Sequence, residues 1–201
     1  MIYLIRHTET EWNEQFRYIG RTDLHLSELG RQHAGMIAKW FADVRLDAIY
    51  ASPMVRALET AATLAADRDM VIEKVQGLRE IDFGAWEGLT HGEILERDPD
   101  NFNRWLADPE TQPIPEGELW SSFDARVRQA FAGVTAKHAG EAIAIVSHGG
   151  PIKVIVGQVL GIPAANYWQV YLDKGSVSAL IMDERGLRVT LLNGTCYLRV
   201  S

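Results

Sequence analysis

The chain has 201 residues, 47% of them hydrophobic, and a formal net charge of -7 at pH 7. This length and composition suffice for one sizeable core, so we expect a single domain over residues 1–201. The net negative charge argues against binding to nucleic acid or to an anionic membrane, because both require a basic face. The single cysteine, Cys196, excludes an internal disulfide and fits a cytoplasmic protein.

Short β-rich runs alternate along the chain with longer segments of helical period, which predicts an α/β protein. We expect a three-layer α/β/α sandwich with a mostly parallel central sheet. The apolar run at residues 2–5 is the first buried strand, and it is too short for a signal sequence or a membrane span. A helix is predicted at residues 28–41 with Ser27 as its N-cap, followed by a strand at residues 47–51.

The middle of the chain is predicted to form two helices, a strand and a loop. Pro53 is expected at the first position of a helix, and residues 71–75 at a strand. Residues 95–106 are acidic and aromatic, which predicts a helix, and residues 108–117 carry three prolines, which predicts a loop. The stretch at about 85–120 is therefore expected to form a small helical and loop cover on the domain.

The last part of the chain is predicted to carry two helices, a strand and a closing hairpin. An amphipathic pattern predicts a helix at residues 118–138, and the apolar run at residues 142–146 predicts a further buried strand. A helix from Pro151 follows. Residues 177–182 and 187–192 are predicted to pair as a hairpin.

Two histidines lie just after predicted strands. His7 follows the first strand, and His148 follows the strand at residues 142–146. In an open α/β sheet, ligands bind in the crevice beyond the carboxyl ends of the strands. A single histidine in such a place is more often structural, but two of them, each just beyond a buried strand and beside glycine, arginine or a helix start, indicate a functional site.

Two arginines accompany these histidines. Arg6 adjoins His7, and Arg56 lies in the first turn after the strand at residues 47–51. A surface ion pair with Glu59 or Glu80 is the alternative role of Arg56. Guanidinium groups match phosphate oxygens bidentately, so two arginines and two histidines in one crevice indicate a pocket for a dianionic phosphoryl group.

The positive surroundings also determine the expected state of the histidines. Nearby guanidinium groups disfavour protonation of an imidazole, which leaves a neutral ring able to attack phosphorus. Metal binding is the rival use of paired histidines, but a zinc site requires a third ligand at suitable spacing. The sequence contains no HExxH or CxxC pair, and arginines repel a cation, so we expect no metal.

Several blocks of the sequence stand in a characteristic order. They are LIRHTETEWN at residues 4–13, GRTD at 20–23, LSELG at 26–30, ASPMVRA at 51–57, LREIDFGAWEG at 78–88 and VSHGG at 146–150. This order resembles the histidine phosphatase superfamily, which includes cofactor-dependent phosphoglycerate mutases and alpha-ribazole phosphatases. The resemblance spans most of the chain and implies a phosphoglycerate mutase-like fold.

The resemblance implies that His7 is the nucleophile that accepts the phosphoryl group. It also implies that Arg6, Arg56 and His148 hold the equatorial oxygens and stabilise charge in the transition state. The other residues implied to contact the phosphate or to orient the site are Asn13, Thr10 and Gly20.

Glu80 matches the proton donor of the family, which protonates the leaving alcohol and later activates water. We expect such a carboxylic acid to be partly buried near the substrate oxygen. The alternative is a surface carboxylate paired with Arg79. Glu87 is interpreted as structural.

The sequence departs from the family pattern at three positions. Thr8 follows the nucleophilic histidine, where the family usually has glycine, so the fit of the substrate is in question. Ile19 stands before Gly20, where a polar residue often assists the phosphate. Leu119 follows the run PEGE at residues 115–118, where the family usually has serine.

The compact chain is closer to the phosphatase branches than to the mutases, which usually carry extra segments that grip the substrate carboxylate. We predict a metal-independent phosphatase without a cofactor, which hydrolyses a small organic phosphomonoester such as an alpha-ribazole phosphate through a phosphohistidine. A cofactor-dependent phosphoglycerate mutase and a non-catalytic module that binds a phosphorylated ligand are the alternatives. The sequence leaves the choice between a monomer and a homodimer open.

Four tryptophans are candidates for a cover over an apolar leaving group, namely Trp86, Trp105, Trp120 and Trp168. Aromatic side chains more often belong to the core, and that is the alternative for each of them. A cover of this kind favours an organic phosphomonoester over a small sugar phosphate.

Overall fold

The computed structural model describes residues 1–198 apart from the side chain of Trp168. Within that range, the strands are β1 (Ile2–Arg6), β2 (Ala48–Ala51), β3 (Ile72–Lys74), β4 (Ile143–Ser147), β5 (Val177–Asp183) and β6 (Gly186–Gly194). They form a six-stranded sheet in the order β3-β2-β4-β1-β5-β6. The strands from β3 to β1 are parallel to their neighbours, whereas β5 and β6 are antiparallel. The predicted mostly parallel sheet and the closing hairpin are confirmed.

Helices cover both faces of this sheet. In the described range they are α1 (Glu11–Glu14), α2 (Glu28–Trp40), α3 (Val55–Ala65), α4 (His91–Arg97), α5 (Pro99–Ala107), α6 (Trp120–Thr135) and α7 (Gly149–Leu160). One core cluster joins α2 and α3 to one face of the sheet, and a second joins α6 and α7 to the other. Because Leu4 and Ile5 point to opposite faces and both are fully buried, β1 lies between these two layers. The α/β/α sandwich is thus confirmed.

The register of the central strands decides what lies at their carboxyl ends. Arg6 of β1 pairs with Ser147 of β4, and Ala51 of β2 pairs with Val146 of β4. The three strands therefore end side by side, and the residues that follow them share one edge of the sheet.

The helix after β2 begins later than predicted. Its first residue is Val55 and its N-cap is Met54, so Pro53 lies before the helix rather than at its first position. The Val55 amide donates to the carboxylate of Asp23 at 2.7 Å. A carboxylate from a distant loop thus satisfies the end of α3, which the local sequence could not reveal.

The helix predicted at residues 95–106 is broken into α4 and α5. The break falls at Asp98, whose backbone has φ -146° and ψ 56°. Asp98 precedes Pro99, and the proline ring disfavours helical geometry in the residue before it. Pro99 then serves as the first residue of α5, a position that tolerates the missing N–H.

Two further helix boundaries differ from the predictions. The helix α6 begins at Trp120 rather than at Glu118, because Leu119 is extended at the N-cap with φ -66° and ψ 137°. The helix α7 begins at Gly149 rather than at Pro151, with His148 as its N-cap. Among the described residues, no helix is both long enough and apolar enough to cross a membrane.

Candidate active site

The two histidines lie together at the carboxyl edge of the sheet. The rings of His7 and His148 have centroids 5.1 Å apart and an angle of 62° between their planes. Both residues are buried, with exposed fractions of 3% and 0%. The strand pairing of β1 with β4 accounts for this proximity, as expected from the sequence.

The backbone holds the His7 ring in one tautomer. Its Nδ1 lies 2.7 Å from the carbonyl oxygen of Thr8, and a carbonyl only accepts hydrogen bonds. We infer that Nδ1 carries the proton and that Nε2 carries the lone pair. Burial lowers the pKa of His7 well below its usual value, and the Arg56 and Arg6 guanidinium groups lower that pKa further. The ring is therefore neutral at pH 7, with a nucleophilic nitrogen.

Ser52 holds the other imidazole. The Oγ of Ser52 lies 2.7 Å from Nε2 of His148 and 3.4 Å from the Met54 amide, which donates to it. If the serine hydroxyl donates to Nε2, both partners are satisfied and the proton of His148 is on Nδ1. Burial lowers the pKa of His148 well below its usual value, with Arg56 as the next cause, so this ring is neutral as well.

The two arginines are fixed by backbone carbonyl groups. Arg56 is fully buried and donates to the carbonyls of Gly20 and Thr22, both at 2.9 Å. The alternative of a surface ion pair is therefore wrong for Arg56. Arg6 donates to the carbonyl of Leu172 at 2.5 Å. Burial lowers the pKa of both guanidinium groups, and the nearby Glu80 opposes that shift.

Buried N–H groups of these residues have no partner among the described residues of the protein. In the described part of the chain, four buried side-chain nitrogens have no hydrogen-bond partner in the protein, and three of them belong to Arg6, Arg56 and His148. Buried polar atoms are normally paired, so three unpaired nitrogens on residues of this site indicate that it binds an acceptor. A phosphoryl group has the charge and the oxygens to accept from all three.

Glu80 lies at the edge of this pocket. It is half-buried, as expected, and its carboxylate accepts from the amides of Ile81 at 2.9 Å and Gly150 at 3.0 Å. Gly150 is two residues after His148 on α7, so this contact holds the carboxylate beside the histidine pair. Glu80 therefore does not form the surface pair with Arg79 that was the alternative.

Thr10 and Asn13 form a reciprocal capping box at the start of α1. The hydroxyl of Thr10 donates to the carboxamide oxygen of Asn13 at 2.9 Å, and the backbone N–H of Asn13 donates to that hydroxyl. This use of the oxygen makes the amide nitrogen of Asn13 the group that is suited to a phosphate oxygen. The role of both residues in phosphate binding stays a prediction.

Thr8, which replaces the family glycine, is accommodated without a left-handed backbone. Among the described residues, those other than glycine with positive φ are Phe16, Asp69, Glu116 and Asn193. Thr8 is fully buried, and its hydroxyl lies 3.4 Å from that of Thr60 on α3. The side chain therefore packs against a helix.

Gly20 contributes through its backbone. Its amide donates to the carboxylate of Glu87 at 2.9 Å, and its carbonyl accepts from Arg56. A Cβ on Gly20 would lie 2.2 Å from the carbonyl oxygen of Ile81, so no larger residue fits. The Thr22 amide also donates to Glu87, at 2.9 Å. Glu87 thus organises the two carbonyl groups that hold Arg56, which agrees with its structural interpretation.

We expect Glu87→Gln to weaken phosphate binding. Glutamine lacks the charge, and its NH2 group would replace the second oxygen that accepts from the Gly20 amide, so both backbone bonds are weakened. The loss of about 1.4 kcal/mol expected for such bonds corresponds to a roughly tenfold higher inhibition constant for inorganic phosphate or vanadate. Glu96→Gln, at an exposed position of α4, is the matched control. Unchanged inhibition in Glu87→Gln would contradict this coupling to Arg56.

A cavity of about 200 Å³ opens beside the phosphoryl pocket. Its charged lining residues are Arg6, Glu80 and Lys153. Its aromatic lining residues are Phe83, Trp105, Trp120, Phe123, Tyr167 and Tyr171. The cavity is suited to a flat, largely apolar group attached to the phosphate.

The tryptophans divide between this cavity and the core. Trp105 and Trp120 line the cavity, and Trp105, which is 2% exposed, also belongs to the core. Trp86 is instead a core residue, 1% exposed, and its indole N–H donates to Asp98 at 3.1 Å. The side chain of Trp168 lies outside the part of the chain that the structure describes.

Sequence reasoning assigned no role to some residues of this site. Ser52 lies within the block ASPMVRA, and its signal was the position directly after β2 at the carboxyl edge. Tyr167 and Tyr171 of the cavity come from a segment without a motif. For metals, no cluster of three or more His, Cys, Asp or Glu side chains that could hold an ion occurs in the described residues.

Comparison with known proteins agrees with this geometry. The chain is 34% identical over 98% of its length to phosphoserine phosphatase 1 of Hydrogenobacter thermophilus, covering 93% of that protein. It is 28% identical to the adenosylcobalamin/alpha-ribazole phosphatase of Escherichia coli, covering 96% of this chain and 95% of that protein.

Solved structures show the same fold. YhfR of Bacillus stearothermophilus is 34% identical to this chain and superposes with a TM-score of 0.92, with 98% of each chain covered. The family model of the histidine phosphatase superfamily (branch 1) matches residues 2–195. This chain therefore belongs to the histidine phosphatase superfamily.

Proposed function

We propose that this protein hydrolyses a phosphomonoester through a covalent phosphohistidine at Nε2 of His7. The observation that carries the proposal is the neutral His7 ring, anchored through Nδ1 and surrounded by unpaired N–H groups of Arg6, Arg56 and His148. The phosphatase names of the relatives support the same reaction class.

In the first step, the lone pair of Nε2 attacks phosphorus while the bond from phosphorus to the ester oxygen breaks. Arg6, Arg56 and His148 bind the equatorial oxygens, where negative charge is greatest in the transition state. Glu80, in its protonated form, transfers its proton to the departing oxygen and becomes a carboxylate. The carbonyl of Thr8 stabilises the positive charge that the phosphorylated ring acquires.

In the second step, the Glu80 carboxylate takes a proton from water, and the water oxygen attacks phosphorus. The phosphorus–nitrogen bond breaks, and its electron pair returns to Nε2. Inorganic phosphate leaves, and both His7 and Glu80 regain their starting protonation states. Every proton in this cycle passes through side chains of the chain itself, so we propose that no metal ion is required.

The leaving-group cavity supports a flat organic substrate. Its aromatic walls bury apolar surface, and the relatives named alpha-ribazole phosphatases act on an ester of this kind. Other relatives are named phosphoserine phosphatases, so a small amino acid ester is the comparison substrate. A cytoplasmic location is also part of the proposal and rests on the single cysteine, Cys196.

The test is phosphate release from a panel of phosphomonoesters in excess EDTA. The panel contains a naphthyl phosphate, an alpha-ribazole phosphate, phosphoserine and 3-phosphoglycerate. We expect full turnover in chelator, and a kcat/KM at least about tenfold higher for the flat esters, because each buried ring contributes roughly 1–2 kcal/mol. Readdition of Mg²⁺ is the control.

Three results would contradict the proposal. Loss of turnover in EDTA with recovery on Mg²⁺ would indicate a metal-dependent reaction. Isomerisation of 3-phosphoglycerate that depends on a bisphosphorylated primer would indicate a mutase. Binding of vanadate without hydrolysis of any ester would indicate a module that binds phosphorylated ligands.

A further inference from the structure

A single arginine on α6 holds the loop that carries Glu80, here called the acid loop and defined as residues 77–82. Arg126 donates through Nη1 to the carbonyls of Gly77 at 2.9 Å and Arg79 at 2.7 Å. Through Nη2 it donates to the carbonyl of Glu80 itself, at 2.9 Å. The guanidinium group therefore contacts the backbone just before the acid and at the acid itself.

Glu118 fixes the guanidinium group in turn. Its carboxylate accepts from Nε and Nη2 of Arg126, both at 2.7 Å, in a bidentate pair. The two side chains are only 20% and 17% exposed. With these two bonds, each of the five N–H groups of Arg126 has an acceptor, which is the full capacity of a guanidinium. An arrangement this complete holds the group in one orientation.

The segment PEGE at residues 115–118 adds backbone contacts to the end of the acid loop and to the residues that follow it. The Glu118 amide donates to the carbonyl of Asp82 at 3.0 Å, and the Ala85 amide donates to the carbonyl of Pro115 at 2.9 Å. A Cβ on Gly84 would lie 2.3 Å from that carbonyl oxygen, so the two segments are in tight contact. The acid loop is thus held by a helix on one side and by this segment on the other.

We propose that Arg126, oriented by Glu118, is a positioning residue that sets the place of the Glu80 carboxyl group relative to the leaving-group oxygen. The proposal rests on the proposed role of Glu80 as proton donor. Glu80 itself is tied to Gly150 at the start of α7, close to His148. The Arg126 contacts hold the backbone from which that side chain extends, so they determine how far the carboxyl group reaches.

The ion pair of Arg126 and Glu118 differs from an ordinary surface ion pair because Arg126 also contacts the leaving-group cavity wall and the acid loop. Phe123, one turn earlier on α6, lies beneath the guanidinium at 4.9 Å from ring centroid to Cζ, and it also lines the leaving-group cavity. Arg126 therefore joins the wall of the cavity to the acid loop. A lysine has one nitrogen with three donors and cannot reproduce the planar fork.

The test compares Arg126→Lys in the wild-type and Glu80→Gln backgrounds. We expect Arg126→Lys to lower kcat/KM roughly 10- to 100-fold for alkyl phosphates, since misplacement by about 1 Å has effects of this size. For aryl phosphates, whose leaving groups need little protonation, kcat/KM should fall no more than about threefold. In the Glu80→Gln background, the lysine substitution should have almost no further effect on alkyl esters.

Two further variants keep the test decisive. Glu118→Gln leaves all three carbonyl contacts of Arg126 in place but weakens its orientation, so it should show the same selectivity with a smaller loss. Arg128→Lys, at an ion pair with Asp124 on the same helix, is the matched control. Thermal unfolding of every variant shows whether it is folded at the assay temperature.

The outcomes separate the two proposals. Equal losses on alkyl and aryl esters in Arg126→Lys, or an undiminished loss in the Glu80→Gln background, would overturn the positioning role alone. If Glu80→Gln itself shows no preference between the ester classes, the proton-donor role fails first, and the positioning role fails with it. If Arg126→Lys is unfolded, Glu118→Gln provides the test instead. Equal losses of kcat/KM on alkyl and aryl esters in Glu118→Gln would then overturn the proposal.

Discussion

Replacing His7 with alanine is expected to lower kcat by at least about 10⁴-fold, the size of loss typical of a missing covalent nucleophile. The physical reason is that His7 supplies the neutral ring nitrogen on which the proposed phosphohistidine forms. His148 is neutral too, but Ser52 occupies its Nε2. The measurement is the single-turnover rate with an aryl phosphate, and trapping of a labelled protein stable to alkali and labile to acid.

The fold should survive this substitution. The buried His7 ring bonds to the carbonyl of the adjacent Thr8, whereas its backbone amide bonds to the carbonyl of Ser147 at 2.8 Å, which alanine retains. Thermal unfolding within a few degrees of the wild-type protein is therefore expected, as for the control His25→Ala, whose side chain is 75% exposed. Wild-type turnover or labelling in His7→Ala would contradict the mechanism.

Glu80→Gln is expected to slow alkyl phosphates about 10²- to 10³-fold and aryl phosphates no more than about tenfold. Glutamine has nearly the same size and keeps an acceptor oxygen for one of the amides of Ile81 and Gly150, but it carries no transferable proton. An alkoxide is a poor leaving group without that proton, whereas a nitrophenolate departs unaided. The measurement is kcat/KM across esters of increasing leaving-group pKa, plotted as a linear free-energy relationship.

The slope of that plot is the critical result. A steeper dependence on leaving-group pKa in Glu80→Gln than in the wild-type protein supports proton donation by Glu80. Parallel lines would argue that Glu80 binds substrate or shapes the loop. Glu14→Gln, at an exposed position of α1, should reproduce the wild-type slope.

The sequence predicted the fold and the position of the site well, because both depend on short-range patterns. Short apolar runs that alternate with segments of helical period identified the strands. The rule that ligands bind beyond the carboxyl ends of strands placed His7 and His148 together. Their ring centroids are 5.1 Å apart in the structure. The resemblance to the family added Glu80, whose place at the edge of the pocket no periodic pattern would reveal.

Two features of the site could not be predicted because their partners are distant in the sequence. The start of α3 was misplaced because Asp23, 32 positions away, satisfies its first amide. Arg56 was given a surface alternative because its acceptors are carbonyls 34 and 36 positions away. Local propensity contains no information about partners at such separations.

The sequence by itself determined the fold class, the location of His7 and His148 directly after strands, and the family. Hydrophobic periodicity and motif order are properties of the chain alone. Only the tertiary structure decided the tautomer of His148, since Ser52 and His148 are 96 positions apart. It also decided the anchoring of the acid loop, because Arg126 reaches Gly77 across 49 positions. Hydrogen-bond geometry between distant segments arises only when the two faces of the sheet are packed, so it cannot be read from any one segment.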